Sequence, residues 1–279
     1  MRGQRTERLV RLAAKFMLCP SKPISLTDLA GKFNVSKTVI SDDVEVINSA
    51  MEAEGFGQMQ VDRGRSGGAR FVPLCTPEYR RSLLTDIAEK LSDPERNLPG
   101  GLIYYSDLIF NPEIALSLGY CMASLFTDST PDVVMTSEVK GIPIAMFAAY
   151  ALGVPLAVCR FRNRPSDGAA VGVHYPTASG DVKTMYIGTR QMKRGCRVLI
   201  VDDFMRGGST ASGMLLMAKQ FDAEVAGIGV FIAHDEPKEK SVPDYRSLLT
   251  LKHSEDGENR LIVTPDNDGV RGILARLKL

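Results

Sequence analysis

The chain lacks a charge imbalance: 34 Lys and Arg stand against 33 Asp and Glu over 279 residues, a formal net charge of +1. Whole-molecule electrostatics therefore give no drive toward nucleic acid or an anionic membrane, and any basic surface must be regional. No apolar run approaches the roughly 18 residues that suggest a membrane span. The basic N-terminus is broken by Glu7 and has no uninterrupted apolar stretch, so a secretory signal is not expected either. The five cysteines, at 19, 75, 121, 159 and 196, form no C-x-x-C and have no histidine at ligand spacing. A disulfide framework and a structural metal site are thereby disfavoured, and the thiols read as small buried side chains in a reducing compartment, the cytoplasm. Internal repeats and low-complexity tracts are absent as well.

What is present is a chain with 44% hydrophobic and 24% charged residues, long enough for two domains with substantial cores. Residues 1–75 carry 11 Lys and Arg against 8 Asp and Glu, leaving 23 against 25 for the rest, a mild asymmetry toward a basic N-terminal part. The expected division is 1–74 and 75–279.

In the N-terminal part, Leu9, Leu12, Ala13 and Phe16 lie at helical spacing over 6–18, behind a possible Thr6 cap and ahead of Pro20. A short helix fits 25–33, and a third runs from Ser36 to about Glu54, with Gly55 as its stop. Ile40, Val44, Ile47 and Met51 form the buried stripe of the third helix, which turns Thr38 and Ser41 outward with Lys37 at the flank. Strand-like 57–62, a Gly- and Arg-rich turn at 63–70 and Phe71-Val72 suggest a β-hairpin. Three helices and a hairpin make a winged helix-turn-helix pattern.

After a linker and a helix near 78–92, apolar strands alternate with helices. Asn111-Pro112-Glu113 opens a helix to about Phe126, and 132–135 reads as a strand. A helix at 142–152 stops at Gly153, and 154–160 and 197–203 read as strands. A helix at 209–221 and a strand at 224–233 complete the alternation, which predicts an α/β domain with a mostly parallel sheet.

The run Val198-Leu199-Ile200-Val201-Asp202-Asp203-Phe204-Met205-Arg206-Gly207-Gly208-Ser209-Thr210 places two acids at the C-terminal end of a buried strand and a small-residue turn at a helix start. Ligands of open α/β sheets bind at that edge. Two adjacent carboxylates suit the vicinal hydroxyls of a ribose, and Gly207, Gly208 and Ser209 let backbone N–H groups close around a phosphate.

This run resembles the phosphoribosyl pyrophosphate motif of type I phosphoribosyltransferases. Thr136-Ser137-Glu138-Val139-Lys140-Gly141-Ile142-Pro143, after a strand, is similar to their pyrophosphate loop, which makes Lys140 and the backbone of Glu138, Val139, Lys140 and Gly141 ligand candidates. The segment 161–181 sits where these proteins carry a flexible hood. Over nearly the whole length the chain resembles the purine operon repressors of Gram-positive bacteria, a winged helix fused to a phosphoribosyltransferase-like domain. That likeness is carried by Ser36-Lys37-Thr38-Val39-Ile40-Ser41-Asp42-Asp43, by 94–101 (PERNLPGG), by Asp132-Val133-Val134-Met135-Thr136, by Lys140-Gly141-Ile142-Pro143 and by Val201-Asp202-Asp203-Phe204-Met205-Arg206.

The resemblance implies a homodimer that binds operator DNA of purine genes, released by phosphoribosyl pyrophosphate, with ppGpp competing for the same pocket. It implies no required cofactor and no catalysis, with Mg²⁺ at most accompanying the ligand. Two departures stand out. Ser209 replaces a glycine favoured by the enzymes, and Arg206 adds a cation beside the phosphates, which favours a highly charged ligand such as ppGpp. The hood segment 160–168 diverges too.

Lys37, Thr38 and Ser41 are the expected major-groove contacts, and Arg63, Arg65 and Arg70 the expected wing contacts to phosphate or minor groove. Arg2, Arg5, Arg8 and Arg11 recur every three residues and form a basic ridge if the first helix starts early. The rival reading is an active purine phosphoribosyltransferase with an accessory N-terminal domain. A winged helix serving protein contacts is a second alternative, and a pyrimidine-type RNA antiterminator is disfavoured by the winged-helix pattern. Tyr104 and Tyr105 are read as core or dimer packing, His174 as a surface histidine, and His234 and His253 carry no pattern.

Overall fold

The computed structural model describes residues 2–55, 57–62, 68–177, 179–254 and 260–266. Helix α1 spans Arg2–Leu18. It begins four residues before the expected Thr6, and Arg5 in its first turns is ion-paired at 3.1 Å to Asp43, a tertiary contact that supports the early start. Strand β1 (Ile24–Ser25) leads into α2 (Leu26–Phe33), whose N-cap Ser25 accepts from the Asp28 N–H. Helix α3 (Lys37–Ala53) starts at Ser36, which accepts from the Val39 N–H, so each cap satisfies one of the donors a first turn leaves free. Strands β2 (Gly57–Val61) and β3 (Gly68–Pro73) form the expected antiparallel hairpin, and β1 adds to β3 as a third strand. Leu12, Phe16, Leu29, Ile40, Val44, Ile47 and Phe71 close one core, which requires the 3.6-residue stripe read in α3.

The second unit opens with α4 (Pro77–Leu91) behind the Thr76 cap. A small hairpin of β4 (Asn97–Leu98) and β5 (Leu102–Ile103), the single turn α5 (Ser106–Ile109) and α6 (Pro112–Ser124) follow. Asn111 caps α6 by accepting from the Glu113 and Ile114 N–H groups. Then come β6 (Val133–Ser137), α7 (Gly141–Leu152), β7 (Leu156–Cys159), β8 (Ala170–Pro176), β9 (Val182–Gly188) and β10 (Arg197–Met205). Helix α8 (Ser209–Gln220) and strands β11 (Glu224–His234), β12 (Arg246–His253) and β13 (Leu261–Pro265) complete the described chain.

The main sheet has the order β13-β12-β11-β10-β6-β7, parallel except for β13, which pairs antiparallel at the edge. Helices α4, α6 and α7 cover one face through Leu91, Leu118, Met122, Ile144 and Ala148. Helix α8 and the β8–β9 hairpin cover the other through Met214, Met217, Tyr175 and Met185. Strand β10 is central and buried on both faces, which explains its unbroken Val198-Leu199-Ile200-Val201 run.

Three expectations are revised. The 161–181 segment, expected as a flexible hood, includes a paired strand, because all of β8 lies within it and pairs with β9. The alternation does not end at 233, because β12 and β13 extend the sheet past β11. Strand β10 continues two residues beyond Asp203, so Phe204 and Met205 belong to the strand, Met205 being buried in the α8-side core. No helix among the described residues is long and apolar enough to cross a membrane.

The two units touch through the turn after α1 and the end of α7. Ser21 Oγ donates to the Ala151 carbonyl at 2.7 Å, and the Tyr150 hydroxyl donates to the Met17 carbonyl. Beside these contacts, a cavity of about 700 Å³ is walled by Gln58, Gln60 and Arg70 of the hairpin and by Thr127, Asp128 and Thr130 of the second unit.

Candidate functional site

The candidate pocket sits where β10 gives way to α8, and its floor is the acid pair. The two carboxylates lie close together but differ in burial. Asp202 is 3% exposed, and its Oδ1 accepts from Ser137 Oγ at 3.3 Å and from the Asp203 N–H at 3.1 Å. Burial and, after it, the Asp203 charge hold the Asp202 carboxyl well above the ordinary carboxylate range. Asp203 is only half-buried, and its Oδ2 accepts from the Tyr105 hydroxyl at 2.5 Å. Asp203 is therefore the more accessible acid of the pair, while Asp202 is held against β6 through Ser137.

Tyr105 was not among the expected site residues, and the structure puts it there. Its ring lies 6.3 Å from that of Phe204 in a stacked arrangement, and the Lys140 ammonium sits 4.4 Å from the ring centroid. Burial, then the Asp203 carboxylate, pushes the phenol up and keeps it a proton donor. A tyrosine just before a helical turn carries no sequence signal for this role. Only the fold brings residue 105 to residue 203.

The loop from Glu138 to Gly141 connects β6 to α7, with a cis peptide between Glu138 and Val139. The Glu138 N–H donates to the Cys159 carbonyl at 2.9 Å, its Oε1 accepts from the Phe161 N–H at 2.7 Å, and its Oε2 lies 3.5 Å from Arg160. The Glu138 side chain thus anchors the loop to the strand beside it, Val139 is exposed, and Lys140 reaches the pocket. Position 141 must be glycine: a Cβ there would lie 2.4 Å from Thr136 Oγ1 and 3.4 Å from Asp202 Oδ1. The Thr136 hydroxyl is buried without a hydrogen-bond partner.

On the other side, Gly207, Gly208, Ser209 and Thr210 form the turn into α8. Gly208 takes φ +86°, a conformation that favours glycine, and it offers no side chain to cap the first turn. The N–H groups of a helix start left uncapped in this way form an anion site. The turn is fixed from outside by the segment after β11. Lys240 Nζ donates to the carbonyls of Arg206 at 2.6 Å and His234 at 2.8 Å, and the Ser241 N–H donates to the Gly207 carbonyl at 2.8 Å. Arg206, expected beside the phosphates, donates from its guanidinium to the Gly100 carbonyl at 3.0 Å. It ties the 97–103 hairpin to the loop.

His234 and His253 also meet near this loop, with ring centroids 5.7 Å apart. His234 is 1% exposed; its Nδ1 accepts from the Glu236 N–H at 3.0 Å, which leaves the proton on Nε2, and that atom has no partner. Burial, then the nearby Arg206, His253 and Lys240, lowers its pKa. His174 is exposed on β8, with Nδ1 2.8 Å from Thr184 Oγ1.

In the N-terminal unit, Lys37 and Thr38 are exposed in the first turn of α3 and Ser41 is half-buried one turn on. Arg70 is not on the same free face: it donates to Gln60 Oε1 at 2.9 Å and lines the cavity shared with the second unit. Arg63 and Arg65 lie outside the described residues. The basic ridge is corrected. Arg5 and Arg8 are ion-paired at 3.1 and 2.5 Å with Asp43, which is fully buried, and Arg11 pairs with Glu7 at 3.2 Å and lies over the Phe33 ring. These arginines fasten α1 to α3 and α2. Only Arg8 is thereby withdrawn from the surface; the Arg5 and Arg11 side chains stay 55% and 51% exposed.

Among the described residues no group of three or more His, Cys, Asp or Glu could hold a metal ion. The arrangement suits a ligand that brings its own phosphates, with a carboxylate and a phenol on the sugar side, a lysine on one anionic end and a helix start on the other.

Residues 4–73 match the family description "Bacterial purine repressor, N-terminal", and residues 109–265 match "Phosphoribosyl transferase domain". The chain is 36% identical to the purine biosynthesis transcriptional repressor of Bacillus subtilis, over 90% of this chain and 88% of that protein. It is 36% identical to a purine biosynthesis transcriptional activator of Lactococcus lactis, over 89% and 92% of the two chains. A xanthine phosphoribosyltransferase of Lactobacillus delbrueckii is 30% identical over 48% of this chain and 74% of its own.

Proposed function

The chain belongs to the family of bacterial purine biosynthesis transcriptional regulators, and from that membership we propose that it is a cytoplasmic, homodimeric repressor of purine genes that senses phosphoribosyl pyrophosphate in a non-catalytic pocket. The α3 start, with Lys37, Thr38 and Ser41, enters the major groove of operator DNA. Arg63 and Arg65 of the wing reach the backbone or minor groove. The ligand's ribose hydroxyls hydrogen-bond to Asp203, its 5′-phosphate lies on the N–H groups of 207–210, and its pyrophosphate meets Lys140 and the backbone of 138–141. Mg²⁺, where it takes part, would be held by the ligand's phosphates with one or two carboxylates, Asp203 being the accessible one, and would neutralise phosphate charge. The highly charged nucleotide ppGpp, which offers the same sugar and phosphate chemistry, competes for the pocket.

The observation that carries this reading is the half-exposed Asp203, poised by Tyr105 at a strand end beside an uncapped helix start, in a chain matched along nine-tenths of its length by transcriptional regulators. Calorimetric titration with phosphoribosyl pyrophosphate, and then with ppGpp, tests it. Saturable binding of both, mutually exclusive and lost in Asp203→Ala, is expected. The second reading, an active purine phosphoribosyltransferase, rests on the partial likeness to the xanthine enzyme. Release of pyrophosphate from phosphoribosyl pyrophosphate with xanthine, guanine, hypoxanthine or adenine would establish it in place of the sensor.

A further inference from the structure

Cys75 and Cys121 lie far apart in sequence and meet in the fold, with Sγ atoms 3.1 Å apart. Cys121 is fully buried on α6, whereas Cys75 is half-buried in the connection that follows β3 and ends at the Thr76 cap of α4. That connection joins the N-terminal unit to the second. It is already pinned to α6, because the Cys75 N–H donates to Ser124 Oγ at 3.0 Å, one turn beyond Cys121. Helix α6 packs on α7, whose first residue is Gly141 of the pocket loop. The thiol pair therefore stands where a covalent bond would tie the joint between the units to a helix one layer from the pocket. A disulfide needs sulfurs about 2.05 Å apart, about 1 Å closer than they stand in the reduced pair.

We propose that Cys75 and Cys121 are a peroxide-oxidisable dithiol, forming a reversible disulfide that fixes the joint between the two units. The accessible Cys75 thiolate attacks a peroxide oxygen and breaks the O–O bond, giving Cys75 sulfenic acid and, with hydrogen peroxide, one water. Cys121 then attacks the Cys75 sulfur, its proton leaving with the displaced hydroxide as a second water. Two thiols lose two electrons and the peroxide gains them. The hydrogen bond to Cys75, then burial, pushes the Cys121 thiol up and the Arg80 charge on α4 offsets this only in part, so Cys121 gives up its proton as it attacks rather than before. A low-molecular-weight thiol reverses the bond by exchange.

The test uses the full-length protein treated with one equivalent of hydrogen peroxide, followed by thiol titration in denaturant and mass mapping without reductant. The count is expected to fall from five thiols to three, with a 75–121 linked peptide that dithiothreitol removes. Cys75→Ser and Cys121→Ser each abolish the link, and Cys159→Ser keeps it. The link forms at least about tenfold faster in the folded chain than in urea, where proximity is lost. A folded protein that keeps five thiols under this treatment, or that links no faster than the unfolded chain, overturns the proposal. Neither readout depends on DNA or nucleotide binding, so the pair stands or falls apart from the sensor reading.

Discussion

Tyr105 donates its phenolic proton to Asp203 Oδ2 at 2.5 Å while the Lys140 ammonium rests 4.4 Å from the centroid of the same ring. One tyrosine thus links the acid at the end of β10 to the cation of the β6–α7 loop, the two sides between which a phosphorylated sugar would lie. Tyr105→Phe keeps the ring under Lys140 and removes only the donor. Loss of one hydrogen bond to a charged group costs the fold about 1.5–3 kcal/mol, and because it also releases Asp203 from its fixed position the affinity for phosphoribosyl pyrophosphate falls, by at most roughly tenfold. Calorimetry measures the loss, and ligand-free DNA affinity stays unchanged.

Asp202 gives a pH signature. Its folded-state pKa is raised by burial and then by Asp203, so the folded chain holds that proton more tightly than the unfolded chain does. The resulting contribution to stability is present in acid and is lost as pH rises through the raised value. Asp202→Asn keeps an oxygen to accept from Ser137 and cannot ionise. Its melting temperature exceeds wild type at pH 8, with the gain shrinking toward pH 4, as calorimetric scans across that range would show.

His234 titrates with the opposite sign. Its folded pKa lies below the 6.5 of a free imidazole. Below 6.5 the unfolded chain takes the proton more readily, so stability present above that pH is lost as pH falls through the folded value. His234→Asn, which retains an acceptor for the Glu236 N–H, flattens this limb. Denaturant unfolding at pH 8, 6.5 and 5 measures the difference.

In the N-terminal unit, Arg8→Met leaves the buried Asp43 carboxylate with only the more exposed Arg5 as a partner. Breaking a buried ion pair from one side costs about 3–5 kcal/mol. The variant therefore loses DNA binding through unfolding of the helical unit, whereas Arg5→Ala costs far less. Circular dichroism melting separates the two.

The sequence made the β10–α8 run legible because four apolar residues, two acids and a glycine turn leave few alternatives for the backbone. It made α3 legible because its stripe and its Ser36 cap agree. The residues that complete the pocket were hidden for a physical reason: Tyr105 and Lys240 act through contacts to residues 98 and 34 positions away and lie in no patterned segment, and His234, at the end of β11, meets His253 only in the fold. Strands β12 and β13 follow β11 with no helix between them, so the strand–helix alternation that marks the rest of the sheet gives no signal for them. The arginine spacing of α1 was legible as a pattern and misread as a free surface, because spacing alone does not reveal the buried Asp43 opposite it.

In the proposed sensor one pocket, read by Asp203, controls DNA binding by a helix in the other unit. Fluorescence anisotropy of a labelled purine-gene promoter fragment at fixed moderate salt, with phosphoribosyl pyrophosphate titrated in, tests it directly. The expected result is specific binding that the ligand releases, and an Asp203→Ala protein that binds the same DNA but no longer responds. Absence of specific binding, or release that persists unchanged in Asp203→Ala, would contradict it.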